Sequence, residues 1–109
     1  DFSILSNLEP VALEMSGYKE ETGKECNITV KLSNHTGKLS FFNRLVITKG
    51  EGREEVLPTF WDSNFITLFP GEEKTVRATI TNEDLHGAVP FISIDGNNQV
   101  EPQRIQDKE

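Results

Sequence analysis

Cysteine is nearly absent. Cys26 is the one thiol among 109 residues, so no disulfide can close within the chain. The core must rest on packing alone. Long apolar runs are missing too. Nowhere is there a stretch of about 18 apolar residues, the length a membrane-crossing helix needs. Basic residues are scarce, with 11 Lys and Arg against 18 Asp and Glu, a formal net charge of -7. Binding to nucleic acid or to an anionic membrane draws on clusters of Lys and Arg, and this balance argues against both. No Gly-rich phosphate loop occurs; Gly50-Glu51-Gly52 reads as a hairpin turn. No segment carries a helical period, and neither internal repeats nor low-complexity stretches are present. No signal peptide opens the chain. Its start at Asp1-Phe2-Ser3 fits a mature segment or a piece of a longer protein.

What is present is alternation. Residues 60–80 organise it: two strand patterns meet at Pro70-Gly71. Pro70 presets φ for a reversal and Gly71 can take a positive φ. Beyond the turn, Val76, Ala78 and Ile80 alternate with Thr75, Arg77 and Thr79, a strand with one buried face. Lys24 to Asn34 alternates most cleanly, with Cys26, Ile28, Val30 and Leu32 facing in. Leu8 to Ser16 reads as an edge strand beginning near Pro10, and Gly17 to Gly23 as a polar turn. Leu39 to Lys49 is apolar on both faces and reads as a central strand. Further short strands fall at Glu54 to Phe60, broken at Pro58, at Asn64 to Phe69 and at Pro90 to Asp95. Thr81 to Ala88 is a polar connection. Residues 1–8 form a lead-in and 101–109 a frayed tail.

About seven short strands at this spacing predict one immunoglobulin-like antiparallel β-sandwich, all-β, without a disulfide. A chain this long buries roughly 60–70% of its unfolded surface, enough for one core. That core should span about residues 8–97. Phe41, Phe42, Phe60, Trp61, Phe65 and Phe69 should fill the ends of the sandwich.

Chemistry is harder to find. His35 and His86 lie in separate loops with no metal-ligand spacing around them. Cys26 falls on an apolar face, where a thiol is inert. The carboxylate pairs Glu54-Glu55, Glu72-Glu73 and Glu83-Asp84 fit solvated turns better than a glycosidase cleft. No catalytic residue, cofactor site or metal site is expected. Asn27-Ile28-Thr29 and Asn34-His35-Thr36 match the glycosylation pattern, a match short enough to arise by chance. Trp61 is open to two readings. It stacks on a sugar ring if exposed, or packs against neighbouring phenylalanines, with Asp62 and Asn64 capping the turn. Arg44 lies within an apolar strand and needs a carboxylate or carbonyl partner, from an acidic turn or from another domain.

Three stretches in order carry a resemblance: Phe41-Phe42-Asn43-Arg44-Leu45, then Val56 through Trp61-Asp62-Ser63-Asn64 to Pro70-Gly71-Glu72, then Asp95-Gly96-Asn97. Together they resemble the C-terminal immunoglobulin-like domain of glycoside hydrolase family 2 enzymes, of the exo-β-D-glucosaminidase and β-mannosidase type. The likeness covers about residues 24–97. Two departures stand out: Asn97 follows Gly96 directly, without the family's intervening tryptophan, and Phe69 replaces its leucine. The resemblance implies a piece of a larger bacterial enzyme, periplasmic or secreted, whose catalytic glutamates lie on a TIM barrel. None of the 109 residues corresponds to those glutamates.

A non-catalytic accessory domain follows from it, with the barrel and other immunoglobulin-like domains of the same polypeptide as partners. Phe60, Trp61, Asp62, Asn64, Pro70 and Gly71 are then the structural corner, and Phe41, Phe42 and Arg44 candidates for a domain interface. The competing readings are a carbohydrate-binding module using Trp61 and a stand-alone adhesion domain. The module requires an exposed Trp61.

Overall fold

The computed structural model describes residues 11–51, 54–97 and 99–108. Its strands, in chain order, are β1 (Glu14–Thr22), β2 (Glu25–Ser33), β3 (Ser40–Asn43), β4 (Leu45–Lys49), β5 (Phe60–Trp61), β6 (Ile66–Leu68), β7 (Glu73–Thr81), β8 (Pro90–Ile94), β9 (Gln103–Arg104) and β10 (Gln106–Asp107). A 3-10 turn, Asn82–Leu85, links β7 to β8. One layer has the strand order β10-β1-β2-β7-β5. Opposite it lie β4-β8-β9 and the short β3-β6 pair. The expected all-β sandwich is what forms.

Period-two patterning explains the register. Cys26 lies opposite Ile80, Ile28 opposite Ala78 and Val30 opposite Val76, so the inward rows of β2 and β7 coincide. These residues join Leu45, Ile47, Ile92 and Ile94 from the facing layer in one buried cluster. Burying each Val, Leu or Ile among them contributes about 1.5–3 kcal/mol, the largest favourable contribution in a domain without staples.

Four expectations are corrected. The first concerns Gly17 to Gly23, which is not a turn but most of β1; only Gly23, at φ 62°, reverses the chain. A Cβ on Gly17 would lie 3.5 Å from Ile105 and 3.6 Å from Ile92, in ordinary van der Waals contact, so this position faces the core between the two layers. Of the edge strand expected from Leu8, residues 8–10 lie outside the described residues.

The second is the tail. Ile105 is 2% exposed and stands between β9, paired to β8, and β10, paired to β1. The chain therefore crosses from one layer to the other and clasps both. Its charges match those of β1, with Lys19 paired to Asp107 at 3.2 Å and Lys108 to Glu20 at 3.4 Å. The β1–β10 pairing is parallel, so the sandwich is not wholly antiparallel.

Third, the expected central strand breaks at Arg44 into β3 and β4. The register shifts between Ser40 and Asn43, where two residues stand in place of one. Ser40 and Asn43 turn inward, at 2% and 6% exposure, and bond each other at 2.8 Å. The phenylalanines between them are displaced outward. Last, the aromatics do not plug the sandwich ends. Phe42, Phe60, Phe65 and Phe69 are each 59–68% exposed.

Candidate functional site

The corner between β5 and β7 is held by side chains that imitate backbone. Asp62 accepts a hydrogen bond from the Arg77 N–H at 2.9 Å, while its own N–H donates to the Arg77 carbonyl at 2.9 Å. Asn64 uses both ends of its amide on one residue. Its Oδ1 accepts from the Leu45 N–H at 2.8 Å, and its Nδ2 donates to the Leu45 carbonyl at 3.2 Å. A ladder partner for Leu45 is thereby supplied by a side chain across the β3–β4 break. Alanine at position 64 should cost about 1–2 kcal/mol in urea unfolding. Aspartate should cost less, because it keeps the acceptor for Leu45.

The turn ends in the same manner. Gly71 lies at φ 79° and Glu72 N–H closes onto the Phe69 carbonyl at 3.0 Å, with Pro70 preceding. Asn34 staples this turn. Its backbone carbonyl accepts from Gly71 at 2.7 Å and its N–H donates to Glu72 at 2.9 Å. Its side chain donates to the Lys38 and Leu68 carbonyls at 2.7 and 3.1 Å and accepts from Thr36 N–H at 3.0 Å. Asn34 is 0% exposed, so the glycosylation match at this position is a buried structural motif. The cue in the sequence was an Asn two residues before a Thr, as in an Asx turn.

Trp61 lies opposite Ala78 in register and packs against the buried core, half-buried rather than free-standing. Phe60, its neighbour, faces the other way, opposite Thr79. Arg44 finds its partner within this domain: Nη2 contacts both Glu55 carboxylate oxygens, at 3.3 and 3.0 Å, and Nη1 lies 3.6 Å from Asp95. Phe41 and Phe42 meet edge to face at 4.2 Å. Phe42 and Phe65 hold φ at 48° and 57°. Left-handed backbone at a bulky side chain costs on the order of 1–3 kcal/mol.

The groups with chemical potential stay apart. Glu55 is engaged by Arg44, Glu72 accepts from Phe69 N–H at 3.0 Å and Glu73 accepts from the Ser33 hydroxyl at 2.9 Å. His35 lies 3.1 Å from Glu14 on the surface, and His86 lies 3.2 Å from Lys49. Among the described residues, no three His, Cys, Asp or Glu side chains converge as a metal cluster would. Burial pushes the Cys26 thiol pKa up; the charge of Lys19 opposes this, and the charges of Glu21 and Asp107 add to it. The thiolate a nucleophile needs is disfavoured there.

Lys19 closes the inward row of β1. Burial pulls its ammonium pKa down, but hydrogen bonds to Asp107 and Glu21 and their charges raise it above the ordinary value. A raised lysine pKa stabilises the fold fully below the unfolded value and loses that contribution as pH climbs through the folded one. Urea unfolding above about pH 10.4 should therefore show stability falling in the native chain. The fall should be shallower in Lys19→Met.

Residues 1–99 match the family model described as the exo-beta-D-glucosaminidase Ig-fold domain. The chain belongs to that family. The relatives it matches are much longer proteins. An exo-beta-D-glucosaminidase of Streptomyces avermitilis is 32% identical over 74 residues, 68% of this chain and 8% of the relative. The Amycolatopsis orientalis enzyme of the same name is 35% identical over 72 residues, 64% of this chain and 7% of the relative. The crystal structure of Amycolatopsis orientalis exo-chitosanase CsxA superposes with a TM-score of 0.82 at 28% identity, covering 97% of this chain and 13% of that one. The Ig-fold domain thus spans less than a tenth of the length of the curated relatives it matches. Between the two enzyme types the sequence resembled, these relatives carry the glucosaminidase name.

Proposed function

We propose that this Ig-fold domain is a non-catalytic accessory part of a larger, exported glycosidase of the exo-β-D-glucosaminidase type. It packs on the rest of that polypeptide, the catalytic barrel included, and stabilises it. The supporting observation is a contrast within the described residues. Every paired carboxylate is tied to a turn, a strand or an ion pair, or stands on the 3-10 turn. Meanwhile four phenylalanines remain more than half exposed. A sugar platform would need a free indole face, and Trp61 packs on the core instead.

The test is removal of this domain from the full polypeptide. The unfolding temperature of the remainder should fall by several degrees, with hydrolysis of a glucosaminide lost in parallel on mild heating. An unchanged unfolding temperature and unchanged heat tolerance would refute the accessory role.

A further inference from the structure

Which surface meets the rest of the polypeptide is a separate question, and its answer rests on the accessory reading. The outer side of the β3–β6 pair stands out. Period two would put Ser40 and Phe42 on one side of the strand and Phe41 and Asn43 on the other, yet the bulge brings Ser40 and Asn43 inside together and leaves Phe42 outside. The Phe42 N–H donates to the Thr67 hydroxyl at 3.3 Å, which holds Phe42 to the outer side of β6. Phe65 and Phe69 flank β6, whose Ile66 and Leu68 face the core. Phe42, Phe65 and Phe69 are 59%, 60% and 60% exposed. Two of them also sit at positive φ, with no burial inside the domain to offset the strain.

The opposite outer face is different. Phe60 stands there beside Thr79, among the outward Asn27, Lys31 and Arg77, on a polar surface.

We infer that Phe42, Phe65 and Phe69 form the docking face of this domain, and that its occupant is another domain of the same polypeptide. The apolar area on offer decides between occupants. Three phenylalanines at this exposure present about 300 Å². A second copy of the chain would need about 800 Å² per partner for a stable dimer, about 60% of it apolar, and a net charge of -7 on each copy opposes it. A covalently linked neighbour binds at high effective concentration, so a small apolar anchor suffices. In the matched exo-chitosanase this domain corresponds to 13% of the chain, so most of that polypeptide is on hand as a linked partner.

Hydroxyl-radical footprinting of the full polypeptide, read by mass spectrometry, tests this without any substitution. Phe42, Phe65 and Phe69 should oxidise several-fold more slowly than Phe60, the internal reference. Equal oxidation of all four overturns the assignment. So does protection that grows with protein concentration, which would mean a second copy, or protection that appears only with added glucosamine oligosaccharide, which would mean a sugar surface. Phe65→Ser combined with Phe69→Ser should lower the unfolding temperature of the full polypeptide, and Phe60→Ser should not. Removal of the whole domain separates the two ideas. If removal destabilises the remainder while the footprint is even, the accessory role stands and this face is wrong. If removal changes nothing, the accessory role itself is wrong.

Discussion

Replacing Ile105 with alanine should lower the unfolding free energy by about 2–5 kcal/mol. The side chain is 2% exposed, belongs to the single core cluster and would lie 3.5 Å from a Cβ at Gly17. Its position makes the loss larger than a cavity alone. Ile105 N–H donates to the Pro90 carbonyl at 3.0 Å, and Lys108 N–H to the Lys19 carbonyl at 2.8 Å, so the clasp holds β8 and β1 through backbone bonds as well. Without its apolar anchor the segment keeps those backbone bonds and the ion pairs to β1, and pairs whose carboxylates are exposed are worth only about 0–1 kcal/mol each. A domain of this size is stable by about 5–15 kcal/mol, so the variant would approach the margin. Gln106→Ala, on an exposed residue of the same segment, should stay within about 0.5 kcal/mol. Urea unfolding of the three proteins checks the claim. Equal stability for Ile105→Ala and the native chain would mean that the tail is frayed after all.

Asn34→Ala should cost about 2–4 kcal/mol. The Leu68 carbonyl would lose its donor at a buried site, and the Lys38 carbonyl and Thr36 N–H would lose their partner at part-buried ones. An unmet buried polar group costs more than a satisfied one contributes. Aspartate at this position separates hydrogen bonding from volume. It has nearly the shape of asparagine but would aim a carboxylate at two carbonyl oxygens, so it should be at least as damaging as alanine. If aspartate instead unfolds like the native chain, the amide donors are not what holds the Pro70-Gly71 turn to β2.

The strands that followed strict alternation were legible before any coordinates. Cys26 to Leu32 and Val76 to Ile80 needed only period two, because one face of each is buried and a slip of one residue would expose every apolar side chain. The errors fell where a residue's role depended on something distant. Gly17 reads locally as a turn, yet it pairs with Val30 inside β1 and faces the distant Ile105 and Ile92. Charges at 101–108 read locally as solvated, yet their partners are on β1, some 90 residues earlier in the chain. The Ser40-to-Asn43 bulge turns Asn43 inward in place of Phe42, and Asn43 has a specific acceptor at Ile66, 2.9 Å away.

The same division holds at the candidate site. A turn at Pro70-Gly71, a carboxylate partner for Arg44 and side-chain bonds from Asp62 and Asn64 all followed from residue chemistry. That Asn64 would engage Leu45 across the break did not follow, because it depends on where β4 begins. Exposure of the phenylalanines was equally hidden. Apolar residues are assigned inward by default, and a surface meant for a partner breaks that rule without a local signal.

At the centre of this account is the claim that the domain acts by packing and not by holding sugar. Titration with glucosamine oligosaccharides, followed by backbone amide shifts and Trp61 fluorescence, addresses it most directly. The account predicts no saturable change up to millimolar sugar, because the indole is committed to the core. Saturable shifts centred on Trp61 would contradict it and make this a carbohydrate-binding module.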